Sequence, residues 1–191
     1  MSRIAVITSG QPFGGGGHTV IADGLVQALR DAGHQAEAVL TPQNRFGRQG
    51  AAYLSAWLAD VGMAQDGGPI DQVITLRYPA YAVRHEAHVC WLTHRMREYY
   101  DLWDRFSATL TPTQRIKEGI RRRLIHAADR HFLTRRVRRL FVISGTIEQR
   151  LLTWGGIPST VLHPPPPPRP YRCDGYGDYI FAASRLTRLK R

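Results

Sequence analysis

Cysteine is scarce in this chain: Cys90 and Cys173 stand far apart, match no metal-ligand spacing and read as buried or incidental thiols. No apolar run approaches the roughly 20 residues a membrane-spanning helix requires. The N-terminus has no charged, apolar and cleavable signal arrangement, so the chain is expected to be cytoplasmic. No Asp-x-Asp motif accompanies a strand end, so no metal is expected. Acidic residues are also few, 15 Asp and Glu against 26 Lys and Arg, for a formal net charge of +11. What is present supports a real core: 43% of the 191 residues are hydrophobic, enough for one large domain or one domain with a piece of another.

The stretch that organises the chain begins at Arg3. Ile4 to Ile7 is a continuous β-prone run, the pattern of a strand buried on both faces. Gly14 to Gly17 follow and are expected to take positive φ and let the backbone approach a ligand closely. From Thr19 the apolar positions Ile21, Leu25, Ala28 and Ala32 follow the helical period, and Gly33 ends the helix with a left-handed cap. Strand, glycine turn and helix N-terminus together make a place for an anion. A P-loop would need Gly-Lys-Ser/Thr, whereas His18-Thr19 follows here. A dinucleotide fingerprint aligned on Gly14 and Gly16 puts its third small position on Thr19, and Glu37 precedes the end of its strand, so that match is poor.

Further along, strands and helices alternate. Gln35 to Leu40 reads as a strand, and Gln49 to Met63 as a helix with Tyr53, Leu54, Trp57, Leu58 and Val61 facing inward. Val73 to Leu76 and His88 to Thr93 are two more buried runs, the second leading into a helical pattern from about Arg95 to Arg105. Leu140 to Ile143 is a strand; Ser144 caps a helix carrying Ile147, Leu151 and Trp154, which Gly155-Gly156 stops; Thr160 to Leu162 is a short strand. Parallel strands need covering helices, so the fold class is α/β with a doubly wound parallel sheet. Pro164 to Pro168 form a polyproline strut of roughly 15 Å. Asp178 to Ala183 reads as the opening strand of a further domain. The expected division is 1–163, a linker over 164–177, and 178–191 as the start of a second domain.

The positive charge is concentrated. Between Thr111 and Leu140 stand Arg115, Lys117, Arg121, Arg122, Arg123, Arg130, Arg135, Arg136, Arg138 and Arg139 against only Glu118 and Asp129. Ile116, Ile120 and Leu124 recur every fourth residue, which predicts a helix with one apolar and one cationic face. Such a block is either a solvated face or a docking site for an anionic partner, a phospholipid surface or a phosphorylated acceptor. Nucleic acid is not expected, because aromatic residues are not interleaved with the arginines.

Four landmarks, in their order and spacing, resemble family 4 glycosyltransferases, retaining enzymes built from two facing Rossmann-like domains. They are Gly16-Gly17 with Leu25 and Gly33-His34; Leu92-Thr93-His94; Phe141-Val142-Ile143-Ser144 with Arg150-Leu151; and Tyr179 through Arg185 with Lys190-Arg191. Leu76 to Pro79, Trp91 to His94 and Tyr100 to Trp103 look like a bacterial branch that assembles polysaccharide or glycolipid. The chain departs from the family in having Arg77 where a histidine often stands, and in its five-proline linker.

The resemblance implies a nucleotide-sugar donor, a saccharide or lipid-linked acceptor, and no metal or other cofactor. It implies that Gly16 and Gly17 supply backbone donors to the donor phosphates, that Arg185 and Lys190 form the diphosphate-binding pair, and that His94 acts near the acceptor or transferred sugar. His94 also fits a plainer role, a hydrogen-bonded histidine capping the next helix. The resemblance also implies a second domain, with most of the nucleotide pocket, that the 191 residues do not include, so the isolated chain is expected to be inactive. The alternative is a non-catalytic Rossmann-like module that docks on an anionic membrane, at its inner face, or on a partner through the basic helix.

Overall fold

The computed structural model describes residues 1–10, 16–43, 46–167, 169–170 and 172–180. Six strands form one open, all-parallel sheet: β1 (Arg3–Gly10), β2 (Gln35–Pro42), β3 (Gln72–Thr75), β4 (His88–Leu92), β5 (Arg139–Val142) and β6 (Thr160–Val161), in the order β2-β1-β3-β4-β5-β6. The helices are α1 (Gly17–Asp31), α2 (Gln49–Leu58), α3 (Trp103–Ser107), α4 (Pro112–His131) and α5 (Gly145–Thr153). The chain steps from β1 to β2 in one direction and then from β3 to β6 in the other. Right-handed crossovers therefore send α1 to one face and the later helices to the opposite face, which makes the Rossmann-like, doubly wound arrangement.

The period-2 pattern of each strand feeds the two layers. Ile4, Val6, Leu76 and Trp91 pack against Ala22 and Val26 of α1, with Ile21, Leu25 and Leu29 at the margin. Ala5, Ile7, Val73, Cys90, Leu92 and Val142 face α2, α4 and α5 through Ala52, Tyr53, Ile125, Ile147 and Leu151. Gly33, at φ 84°, supplies the left-handed residue expected after α1. The inner face of α1 differs from the expected one: Ala28 and Ala32 are exposed, and Ala22 and Val26 take the buried stripe.

Three other expectations are corrected. The helix expected over 49–63 ends at Leu58. It buries Gln49, Ala52, Tyr53 and Ala56, while Leu54, Trp57 and Leu58 face solvent; Val61 is buried from the following loop. The segment 95–105 is a 3₁₀ turn at Arg97–Tyr99 followed by the start of the short α3. In α4, Ile116, Ile120 and Leu124 are 69%, 58% and 66% exposed and Ile125 and Asp129 are buried, so the regular apolar stripe points away from the core.

What replaces that stripe inside is polar and aromatic. The buried Asp129 carboxylate accepts from the hydroxyls of Tyr53, Tyr81 and Tyr100. Arg122 donates to the Tyr99 carbonyl oxygen at 2.9 Å and lies over the rings of Trp103 and Trp154, while His126 stacks on Tyr100. Burial pushes the Asp129 carboxyl above the ordinary range against the pull of its three hydroxyl donors.

After β6 the chain stays fastened to the sheet as far as the prolines. Leu162 N–H donates to Val142 and the Trp91 indole donates to the Leu162 carbonyl oxygen, both at 2.8 Å. The described residues from 162 to 180 belong to no helix or strand, and the expected strand and turn from Phe181 onward, with Arg185 and Lys190, lie outside the described residues. Among the described residues no helix is long and apolar enough to cross a membrane.

Candidate functional site

All six strands point their carboxyl ends the same way, and the strand order reverses between β1 and β3. In an open parallel sheet the crevice above that reversal is where ligands bind. Here its walls are the end of β1 at Ser9-Gly10, the start of α1 at Gly16-Gly17, and the residues after β3, Leu76-Arg77-Tyr78. Two contacts fix the walls to each other: Leu76 N–H donates to the Ile7 carbonyl oxygen at 3.0 Å, and the Ser9 hydroxyl donates to the Tyr78 carbonyl oxygen at 2.5 Å.

Gly16 is the N-cap of α1, and neither it nor Gly17 adopts positive φ. Gly16 is extended, with φ −174°, which corrects the conformational reason expected for these two glycines. Space distinguishes the two: a Cβ on Gly16 would stand 3.2 Å from Nδ1 of His18, whereas a Cβ on Gly17 would meet nothing within 4 Å among the described residues outside its own turn of helix. Thr19 steadies the turn, its hydroxyl donating to the Gly16 carbonyl oxygen at 2.6 Å. No acidic residue stands in the first turn of α1 to neutralise the positive end of the helix.

His94 emerges two residues beyond β4, as expected, and keeps a solvent-exposed face. Its Nδ1 donates to the Arg95 carbonyl oxygen at 3.1 Å, which leaves Nε2 with its lone pair. Loss of hydration around the ring pushes its pKa down to about 4. Arg77 adds to this, with smaller contributions from His18 and Arg97, against the opposing pull of the Arg95 carbonyl. Near neutral pH His94 is therefore an uncharged acceptor. Thr93 N–H donates to the Leu76 carbonyl oxygen at 2.8 Å, which sets Arg77 and His94 on adjoining strand ends.

Comparison with protein-family models, with curated proteins and with solved structures finds no match. The site therefore has to be judged on its own residues.

Of the residues singled out in the sequence, Gly16, Gly17 and His94 come to the same end of the sheet; Arg185 and Lys190 lie outside the described residues. His18, beside the glycines, reads in the sequence as able to orient a ligand phosphate but more often as a helix-start residue, and Arg77 only as a departure from the family's histidine; neither is among the site residues the sequence selects. The rule that selected His94, a polar residue just past a buried strand, also selects Arg77 after Val73–Leu76. Beneath His94, Arg95 lies 3.8 Å over the Tyr100 ring and donates to the Arg150 carbonyl oxygen, while Asp101 pairs with Arg97 at 2.7 Å and Arg150 at 3.2 Å. These cations are committed to a structural cluster whose small cleft, about 20 Å³ and lined on one side by His94, has no room for a ligand.

A wider groove of about 720 Å³ lies at the other end of the sheet, along β2, bordered by Arg3, His34, Glu37, Asp60 and Asp66. Among the described residues its one guanidinium that makes an ion pair is taken up inside the groove, Arg3 donating to both Asp66 carboxylate oxygens at 2.8 and 2.7 Å. Size alone therefore does not make it the better candidate. Glu37 belongs to this end, in register with Ala5, the third of the eight pairs that join β1 to β2. It is remote from the carboxyl end of β2, where a ribose-binding acid would stand.

Proposed function

We propose that this chain is the acceptor-side, Rossmann-like half of a retaining glycosyltransferase that moves a sugar from a nucleotide-sugar donor to a saccharide or lipid-linked acceptor in cell-surface polysaccharide or glycolipid synthesis. The observation that carries this reading is the placement of the Gly16-Gly17 helix start, Arg77 and His94 at the carboxyl end of the sheet, on and beside its topological reversal.

In such a transfer the bond between the anomeric carbon and a phosphate oxygen breaks. An oxocarbenium-like centre forms on the sugar, and the electron pair leaves with the diphosphate. Amides at the start of α1 are aimed where that negative charge develops. The cationic side chain of Arg77 stands at the adjoining strand end. His94, neutral and with the Nε2 lone pair unprotonated, suits an acceptor hydroxyl: it accepts a hydrogen bond from that hydroxyl without bringing a positive charge toward the oxocarbenium, and as the acceptor oxygen bonds to the anomeric carbon the hydroxyl proton passes to the departing diphosphate oxygen. The Arg185 and Lys190 pair would complete the diphosphate cradle from the second domain.

Thermal melting of the chain alone and with UDP, GDP, ADP and their sugar conjugates tests the reading, since a ligand bound only by the folded state raises the midpoint. The expected result is a rise selective for one nucleotide. An unmoved midpoint with every nucleotide would remove the glycine turn from the donor site, and protection by a nicotinamide or flavin dinucleotide would replace the transferase with an oxidoreductase.

A further inference from the structure

The outer face of α4 carries an aliphatic row that the fold does not use. Ile116, Ile120 and Leu124 lie on one side of the helix over about 12 Å, all more than half exposed, with Ala127 continuing the row. Lys117 borders the row on one side, and Arg123 and Arg130 border it on the other. Among the described residues none of these three cations makes an ion pair. The two acids of the helix are both turned away: Asp129 is buried beneath three tyrosine hydroxyls, and Glu118 is held by Arg121 and the Tyr99 hydroxyl. The outward face is thus aliphatic along its middle, cationic along both edges, and free of acid.

A second helix extends the same side of the molecule. Tyr53 of α2 reaches Asp129 of α4, and both helices cover the same face of the sheet. The outward positions of α2 are Leu54, Trp57 and Leu58, and the Arg84 guanidinium lies 4.9 Å over the Trp57 ring. A tryptophan beside a cation, with leucines around it, suits the boundary between water and hydrocarbon.

We infer that this side of the protein docks on an anionic phospholipid surface, with Ile116, Ile120 and Leu124 seated among the acyl chains and Lys117, Arg123 and Arg130 on the headgroups. A second copy of the chain is disfavoured because two such faces would oppose like charges. Nucleic acid is disfavoured because the middle of the face offers neither stacking rings nor hydrogen-bond donors to a phosphate backbone. The inference is independent of the transferase reading.

Co-sedimentation of the full chain with vesicles of phosphatidylcholine alone, and of phosphatidylcholine mixed with phosphatidylglycerol, tests it at low and high salt. The chain is expected to pellet with the anionic vesicles only, and less as salt rises. The Lys117→Gln, Arg123→Gln and Arg130→Gln triple variant should bind roughly 100-fold more weakly, about five-fold per cation. The Ile116→Ser, Ile120→Ser and Leu124→Ser triple variant should lose at least about ten-fold. Both should melt like the parent, because every altered side chain is exposed. Failure of the parent to pellet with anionic vesicles, salt-independent binding to neutral ones, or full binding by the serine variant would each overturn the inference.

Discussion

The Ser9 hydroxyl donates to the carbonyl oxygen of Tyr78 at 2.5 Å, in a contact closed to solvent, and so joins the ends of β1 and β3 across the reversal of the sheet. Ser9→Ala leaves that carbonyl without its donor in a place water does not reach. The expected cost is about 1–3 kcal/mol, read as a lower urea midpoint with an unchanged slope. A midpoint equal to the parent's would mean that the contact is not needed to hold the site walls together.

Gly17→Ala separates the ligand from the fold. Among the described residues the added methyl meets nothing within 4 Å outside its own turn of helix, so the free chain should melt at or slightly above the parent's temperature, since alanine favours the helix. The same methyl stands in the approach to the first amides of α1 and should abolish the nucleotide-induced rise. A variant that keeps the full rise would place the phosphate elsewhere.

His88 gives the protein a defined weakness toward acid. It is fully buried, its Nε2 lies 2.9 Å from the Thr75 hydroxyl oxygen, and burial, with a smaller push from His85, lowers its pKa to about 4. The unfolded chain, with an ordinary histidine value of about 6.5, takes up the proton first. This contribution to stability is therefore complete above about pH 6.5 and is lost as pH falls toward 4, amounting to about 3 kcal/mol. His94 adds to the same trend, so the comparison must be between the parent and His88→Gln, whose stability should fall less steeply on acidification. Parallel curves for the two proteins would exclude His88 as the source.

The strands were legible because a two-sided parallel sheet writes itself as unbroken β-prone runs; Ile4 to Ile7, Val73 to Leu76 and His88 to Thr93 all reappear as strands or their immediate extensions. The position of His94 followed from the same fact. The inner sides of the helices were less legible. Periodicity in α4 marks Ile116, Ile120 and Leu124, but their face competes with one bearing Arg122, Ile125, His126 and Asp129, and the second is buried. Nothing in the helix itself announces that its polar side will meet Tyr53, Tyr81 and Tyr100, which come from 29 to 76 residues away. Arg77 was legible only as a departure from the family's histidine: that it stands on the strand end adjoining His94's follows from strand order, and strand order is not written in any one segment.

The carboxylate of Asp129 also clocks its helix. One side chain gripped by three hydroxyls from three separate segments resists any roll of α4 about its own axis, because turning the helix would strip all three donors together. The azimuth of every other residue on α4 is set by that grip, and with it the compass direction in which Ile116, Ile120 and Leu124 face.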